Sequence, residues 1–299
     1  MAETAGMMYF AEIPGVIWNV QRAGPSTGLP TRTLQGDVLA CATLSHGDTQ
    51  HPLLFPASPA ECFSMAETAF NLAERLQTLV FVMSDLDLGM NPWMSEDFTY
   101  SAKAFDRGKV LSKDDLERLN QFARYKDVDG DGIPYRTLPG TEHDLAGYFT
   151  RGTGHDESAK YTESPEVFKN LLDRLQKKWQ TAKSLVPASD VDLQKAEVGL
   201  IAYGSTHAVV RELRDRLQEK GMATSYLRLK AYPFDSQVEP FIKKHKKVIV
   251  LEQNRDGQMK RLLQQEFPHL APQLSSSLSY DGWPSRYQNF LEGVFRGNA

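Results

Sequence analysis

The stretch SPAECFSMAETAFNLAERLQTLVFVMSD, residues 58–85, combines the signals of a helix start with a continuous apolar run of strand length. Ser58 stands at a helix cap position, Pro59 at the first helical position and Glu61 three residues after the cap. This order is typical of a capping box, in which side chains bind the free backbone amides of the first helical turn. We therefore predict a helix that begins after Ser58 and runs to about Leu76.

A buried strand follows this helix. Residues 79–83 are apolar without interruption, which is typical of strands covered on both faces of a parallel sheet. A second apolar stretch around residues 53–55 precedes the helix, so strand, helix and strand form a right-handed crossover unit. Upstream of it, we predict a helix over residues 1–14 and a short strand over residues 16–20.

Alternating strands and helices resume in the last third of the chain. Apolar runs of strand length alternate there with segments of helical periodicity, which predicts a doubly wound α/β domain. The serines at residues 275–277 are interpreted as a local turn. The predicted strands cover residues 198–203, 224–229 and 248–251, and the predicted helices cover residues 205–220, 236–245 and 256–267.

The segment between these halves has a different character. It is rich in Pro, Gly and Asp, and contains one clear helix over residues 164–183. That helix carries an apolar face at helical spacing, formed by Phe168, Leu172, Leu175 and Trp179. We therefore predict a partial first domain over residues 1–88, a connecting segment with one long helix over 89–195, and a second α/β domain over 196–299.

Composition narrows the class of protein. The 299 residues are 41% hydrophobic and 24% charged, which is ordinary for a folded chain, and the net charge of −4 gives no general attraction to nucleic acid or anionic lipid. The two cysteines, Cys41 and Cys62, are too few for a disulfide framework and lack CxxC spacing, so we predict neither a structural zinc site nor an iron–sulfur cluster in this chain. The sequence has no long apolar run and no basic, apolar leader, which predicts a cytoplasmic protein without a membrane or nucleic-acid partner.

The loop QRAGPSTGLPTRTLQGD, residues 21–37, is the main candidate site. It follows a predicted strand, and ligands of α/β folds bind at the carboxyl ends of parallel strands. Arg22 offers a planar fork of donors suited to a carboxylate. The alternative is a polar turn in which Arg22 pairs with a neighbouring acidic residue. Backbone amides and hydroxyls near the same ligand would come from Gly24, Ser26, Thr27 and Gly28.

A second candidate is the acidic stretch around residues 127–132. Asp127, Asp129 and Asp131 match the first ligand positions of an EF-hand loop, but Leu138 stands where the required Glu would be. A complete EF-hand is excluded, and two interpretations stay open, a simpler calcium or magnesium loop and a solvated Asp-Gly turn. A diphosphate-binding motif is rejected, because no apolar strand precedes the stretch.

Several other polar positions have both a structural and a functional interpretation. His143 and His155 each precede an acidic residue, as in a base with its orienting carboxylate or in a simple surface hydrogen bond. Ser205 and Thr206 are helix caps or anion ligands. Asn254, Arg255, Gly257 and Gln258 occupy the corresponding position after the next predicted strand.

Taken together, several stretches resemble the alpha subunits of 2-oxoacid:ferredoxin oxidoreductases, most closely the 2-oxoglutarate type. The loop at residues 21–31 is the most specific of them, with Ala23 where the family usually has Gly. The stretches, which span nearly the whole chain, are AEIP (11–14), QRAGPSTGLPT (21–31), HGD (46–48), SD (84–85), DGDGIP (129–134), LPGTEH (138–143) and LEQNRDGQ (251–258).

This resemblance implies a thiamine diphosphate enzyme of two chains. The present chain would supply a pyrimidine-binding domain and a transketolase-C-like domain, and a beta subunit would hold the diphosphate, its magnesium and a [4Fe-4S] cluster. Arg22 would bind the carboxylate of the 2-oxoacid, Ser26 and Thr27 would lie near the substrate, and Gly24 and Gly28 near the cofactor. The acyl group would pass to coenzyme A and the electrons, by way of the cluster, to ferredoxin.

The resemblance also implies what is missing. The family's pyrimidine-binding domain has an earlier portion with a Tyr-Pro-Ile-Thr-Pro-like loop and a glutamate that activates the cofactor, and this chain begins after both. We expect the isolated chain to be inactive, with the missing portion lost by truncation or supplied by another chain. The rival hypothesis is a non-catalytic scaffold or binding subunit. Pyruvate and branched-chain acids stay open as substrates, and Arg32 or His46 is a candidate for a distal carboxylate.

Overall fold

The strand predicted from the quoted stretch lies at the centre of the first of two sheets. The structure, a computed structural model, describes residues 1–298, with Asn298 as backbone only. The strands are β1 Gly15–Gln21, β2 Leu53–Leu54, β3 Leu79–Asp85, β4 Asp190–Asp192, β5 Val198–Tyr203, β6 Thr224–Leu229, β7 Ala231–Tyr232, β8 Lys247–Glu252 and β9 Leu274–Leu278. The α-helices are α1 Ala2–Ala11, α2 Val38–Ala42, α3 Pro59–Leu76, α4 Leu86–Met90, α5 Lys113–Glu117, α6 Pro165–Ala182, α7 His207–Glu219, α8 Val238–Lys244, α9 Gln258–Glu266 and α10 Tyr287–Asn298.

The first sheet has the order β1-β3-β2-β7. All residues of β3 are buried, and β3 pairs in parallel with both β1 and β2, as the apolar run predicts. The predicted helix is confirmed as α3, and Ser58 Oγ accepts from the Glu61 amide at 3.2 Å. Glu61 does not complete the capping box on Ser58, because its carboxylate accepts from the Ala57 amide at 2.8 Å.

The second sheet has the order β4-β6-β5-β8-β9. Strands β6, β5, β8 and β9 run parallel to one another, which confirms the doubly wound second half. The local turn predicted for residues 275–277 is wrong, since these serines form β9. Their small side chains let α10 pack closely, and a Cβ on Gly293 would lie 2.1 Å from Ser277 Oγ. Ser277 Oγ donates to the Phe290 carbonyl at 2.8 Å, so its buried hydroxyl is satisfied.

The middle segment is tied to both sheets. Its predicted helix is confirmed as α6, although the buried face differs from the prediction, because Phe168 is 49% exposed and Leu171 is buried in its place. Strand β4 of this segment pairs with β6 at the edge of the second sheet, and Ala182 and Val186 pack in one apolar cluster with Val82 of β3 in the first. Strand β7, from the second half of the chain, pairs with β2 in the first sheet. The division into three parts therefore stays a prediction. Within residues 1–298, no helix has the length and apolar composition needed to cross a bilayer.

A buried charge cluster holds α6 against the end of α1. Glu12 is fully buried and accepts hydrogen bonds from Arg174 and from Lys178, the latter at 2.8 Å. Burial alone would raise the pKa of Glu12, but the ammonium of Lys178 and the guanidinium of Arg174 outweigh it and hold the pKa at about 2. Burial lowers the pKa of Lys178 to about 8. Arg124 donates to the backbone carbonyl of Glu12 at 3.0 Å, and its positive charge also lowers the pKa of the Glu12 carboxylate.

Candidate functional site

The carboxyl ends of the two sheets meet in a buried polar network. At the end of β3, Asp85 accepts a hydrogen bond from Ser205, which follows β5. Gln253, which follows β8, donates to Ser205 at 2.9 Å and to Thr206 at 3.0 Å. All four side chains are buried, and burial raises the pKa of Asp85. Ser205 and Thr206 make no side-chain capping hydrogen bond to α7, so the capping role is not realised, and both hydroxyls instead take part in the contact between the sheets.

Gln35 joins this network to the candidate loop. Its side-chain amide donates to the Tyr203 carbonyl at 3.0 Å. Its Oε1 accepts from the Thr206 hydroxyl and from the backbone amide of Gln253, both at 3.1 Å. The Gln35 backbone amide donates to the Gln253 carbonyl at 2.7 Å. Nothing in the local sequence around Gln35 signals this role, because its partners lie far away in the chain.

The loop between β1 and Gln35 is closed by hydrogen bonds within its own backbone. We call residues 22–32 the Arg22 loop. The Ala23 amide donates to the Arg32 carbonyl and the Leu29 amide to the Ala23 carbonyl, both at 2.8 Å. Gly28 has a φ of 49°, and a Cβ at this position would lie 1.9 Å from the Ala23 carbonyl oxygen. The glycine is therefore needed for closure of the loop.

The tip of the loop faces outward. Arg22, Gly24, Ser26 and Thr27 are all exposed. The alternative of a polar turn closed by an ion pair is not realised, because within residues 1–298 the Arg22 guanidinium makes neither a salt bridge nor a hydrogen bond to another side chain. Since β1 pairs with β3 up to Gln21 opposite Asp85, Arg22 leaves the sheet beside the buried network. The structure thus brings the predicted substrate residues together on one exposed loop.

Of the two interpretations of Asp127, Asp129 and Asp131, the cation loop finds no support among the described residues, which do not bring the three carboxylates together as a metal site. Lysine ammonium groups neutralise these carboxylates, with Lys109 Nζ at 2.7 Å from both Asp129 and Asp131, and Lys177 Nζ at 3.2 Å from Asp127. The part of the chain that the structure describes holds no group of three acidic, His or Cys side chains able to bind a metal ion.

The glycines of this acidic stretch have a packing role. Gly132 has a φ of 81°, and a Cβ there would lie 2.3 Å from the Lys178 amide nitrogen in α6. Thr181 Oγ1 donates to the Asp131 carbonyl at 2.7 Å, and Arg174 donates to the Gly132 carbonyl at 3.0 Å. The acidic stretch therefore packs against α6 and is hydrogen-bonded to it.

The remaining polar candidates have structural partners. His143 Nδ1 accepts from the Leu145 amide at 3.1 Å, and the buried His155 bonds the Thr153 carbonyl at 2.8 Å, so neither histidine is oriented by the acid that follows it. Burial lowers the pKa of His155. His46 lies 3.7 Å from Glu3 on the surface. The Arg32 guanidinium stacks 4.1 Å from the centre of the Trp283 ring.

Two parts of the chain match family sequence profiles of one enzyme class. Residues 1–96 match the profile described as pyruvate flavodoxin/ferredoxin oxidoreductase, thiamine diphosphate-binding. Residues 196–275 match the profile described as pyruvate:ferredoxin oxidoreductase core domain II. Fold and site thus define an α/β chain with a thiamine-diphosphate-type pyrimidine-binding domain, and the fold class predicted from the sequence is confirmed.

Curated relatives give the family more closely. The 2-oxoglutarate synthase subunit KorA of Methanocaldococcus jannaschii is 33% identical over 85% of this chain and 66% of the relative. The KorA subunit of Methanothermobacter thermautotrophicus is 31% identical over 87% of this chain and 67% of the relative. The chain belongs to the family of 2-oxoacid:ferredoxin oxidoreductase alpha subunits that includes KorA.

A solved structure agrees with this assignment. The 2-oxoglutarate:ferredoxin oxidoreductase from Magnetococcus marinus, with 2-oxoglutarate, coenzyme A and succinyl-CoA bound, matches with a TM-score of 0.84 and 28% identity. The match covers 100% of this chain and 51% of that chain. The present chain therefore spans about two thirds of the length of the two KorA subunits, at 66% and 67%, and about half of the solved chain.

Proposed function

We propose that this chain is the alpha component of an enzyme that oxidatively decarboxylates 2-oxoglutarate to succinyl-CoA, with ferredoxin as the electron acceptor. One observation carries the proposal: an exposed arginine without an ion pair in residues 1–298 stands on a closed, glycine-dependent loop at the carboxyl end of β1. The family relationship supports it, as does the 2-oxoglutarate named for the solved relative.

The Arg22 loop would supply the contacts to the substrate. The planar guanidinium of Arg22 would bind the carboxylate that is lost as carbon dioxide, through two parallel hydrogen bonds. The hydroxyls of Ser26 and Thr27 would donate to the same substrate, and the backbone at Gly24 and Gly28 would leave room for the cofactor. A partner that covers the exposed loop would lower the local dielectric constant and so strengthen these contacts.

The residues of this chain could bind only some of the cofactors that such an enzyme needs. Thiamine diphosphate, when bound, supplies the nucleophilic carbon that makes decarboxylation of a 2-oxoacid possible. The described residues offer no three-ligand metal site, so we propose that a beta subunit holds the diphosphate and magnesium. The two free cysteines of this chain are too few for a [4Fe-4S] cluster, which we also assign to the beta subunit. We expect the complex to work in the reducing cytoplasm, where free thiols persist.

The test is a turnover assay on the complex assembled with its beta partner, thiamine diphosphate, magnesium and coenzyme A. We expect 2-oxoacid-dependent reduction of a viologen dye, with kcat/KM for 2-oxoglutarate at least about tenfold above that for pyruvate or a branched-chain acid. The isolated chain should show no turnover. A complex that assembles with its cofactors but reduces no dye with any of these acids would contradict the proposal and support the scaffold hypothesis.

A further inference from the structure

We propose that a turn of the second domain positions the Arg22 loop for substrate binding, an inference that rests on the proposed function of that loop. The turn comprises residues 280–285, directly after β9, and we call it the Gly282 turn. Two contacts join it to the loop, one through the backbone of Gly282 and one through the side chain of Trp283. These contacts are with Leu29, Arg32 and Thr33 and not with the proposed substrate ligand Arg22, so each residue would act as a positioning residue.

The backbone contact depends on glycine. The Gly282 carbonyl accepts from the Thr33 amide at 3.0 Å, at the point where the loop ends. Gly282 is buried, has a φ of 84°, and lies so close to the loop that a Cβ would be 2.8 Å from Arg32 Cβ and 3.5 Å from Leu29 Cδ1. A side chain at this position would push the loop away from the second domain.

The side-chain contact fixes Arg32. Its guanidinium lies 4.1 Å from the centre of the Trp283 ring, close enough for a cation–π interaction. The Trp283 amide donates to Asp281 Oδ1 at 3.0 Å, which holds the turn in shape. The tryptophan is 59% exposed, so core packing does not account for its position.

The two contacts act on Arg22 through the closure of the loop. The Arg32 carbonyl accepts from the Ala23 amide at 2.8 Å, and Ala23 is the neighbour of Arg22 in the chain. A shift of Arg32 therefore moves the backbone that carries the proposed substrate-binding side chain. On this account Arg32, which the sequence offered as a ligand for a distal carboxylate, has a positioning role.

The first test is hydrogen–deuterium exchange on the full chain alone, read on peptides that cover residues 22–34. We expect the Gly282→Ala variant to speed exchange in these peptides about tenfold. The matched control is Gly221→Ala, since Gly221 has a φ of 81° with nothing within 4 Å of an added Cβ. This control carries the same backbone strain and should leave the loop unchanged. Unchanged exchange in Gly282→Ala, or an equal rise in the control, would overturn the proposal.

The second test uses Trp283 in the assembled complex. Trp283→Leu should raise the KM for 2-oxoglutarate about tenfold while kcat changes less than about twofold, and Trp283→Phe should restore the normal KM because it keeps an aromatic face. A loosened loop with an unchanged KM would overturn the positioning role. The exchange experiment is independent of turnover, so a complex without activity contradicts the proposed function and leaves the structural contact testable.

Discussion

Replacing Arg22 by alanine in the assembled complex should raise the KM for 2-oxoglutarate about 100-fold, equivalent to about 2.7 kcal/mol of lost binding free energy. The guanidinium makes no ion pair within residues 1–298 and lies on the exposed surface, so its removal costs the chain no internal interaction. Assembly and the free energy of unfolding should therefore stay unchanged. Steady-state kinetics with size-exclusion chromatography of the complex provide the measurement.

Two further variants separate charge from geometry. Arg22→Lys keeps the charge but loses the planar fork, so we expect a KM between those of the wild type and the alanine variant. Arg211→Ala removes another exposed arginine, on α7, and should have no effect on KM. Equal kinetics for Arg22→Ala and wild type would remove Arg22 from the substrate site.

The largest effect on stability is expected for Glu12→Gln, which should lower the free energy of unfolding by about 3–5 kcal/mol. This substitution leaves Arg174 and Lys178 buried without their counter-charge. Urea denaturation of the isolated chain measures the change. The matched control is Glu3→Gln in α1, the helix that Glu12 follows, where the carboxylate is 87% exposed and the loss should stay within about 0.5 kcal/mol. Equal losses for both variants would contradict this account of the cluster.

The stability contributed by this cluster should depend on pH in a defined direction. The pKa of Glu12 falls from 4.5 to about 2 on folding. Its contribution to the free energy of unfolding is therefore complete above pH 4.5 and is lost as the pH falls towards 2. The difference between wild type and Glu12→Gln should therefore shrink in acid. The pKa of Lys178 falls from 10.5 to about 8, so the folded state releases its proton first and stability should rise between these values. Denaturation curves at several pH values measure how the free energy of unfolding changes with pH in both ranges.

Local signals account for the parts of the fold that the sequence predicts. Strand β6 covers the predicted residues 224–229, and α3 begins after its predicted cap, because apolar runs and caps act within a few residues. Strands β4, β7 and β9 were not predicted. The first two have only three and two residues, and the third is a Leu-Ser-Ser-Ser-Leu segment with no apolar run. Their pairing is set by neighbouring strands and by α10.

The candidate site also contains residues that the local sequence predicts and residues that it does not. The position of Arg22 follows from one rule, that ligands bind after parallel strands, and this rule needs only a local prediction. Gln35 and Gly282 act through contacts with distant segments, which no spacing in the sequence reveals. At the acidic stretch, Lys109 and Lys177 supply the positive charge that one of the two interpretations of the aspartates assigned to a metal ion.

A structure of the complex with its beta partner, thiamine diphosphate and 2-oxoglutarate would show whether Arg22 binds the substrate carboxylate. We expect a guanidinium nitrogen of Arg22 to lie within about 3.2 Å of an oxygen of the carboxylate next to the keto group. A substrate whose carboxylate is bound by other residues, with the Arg22 guanidinium more than about 6 Å away, would contradict it.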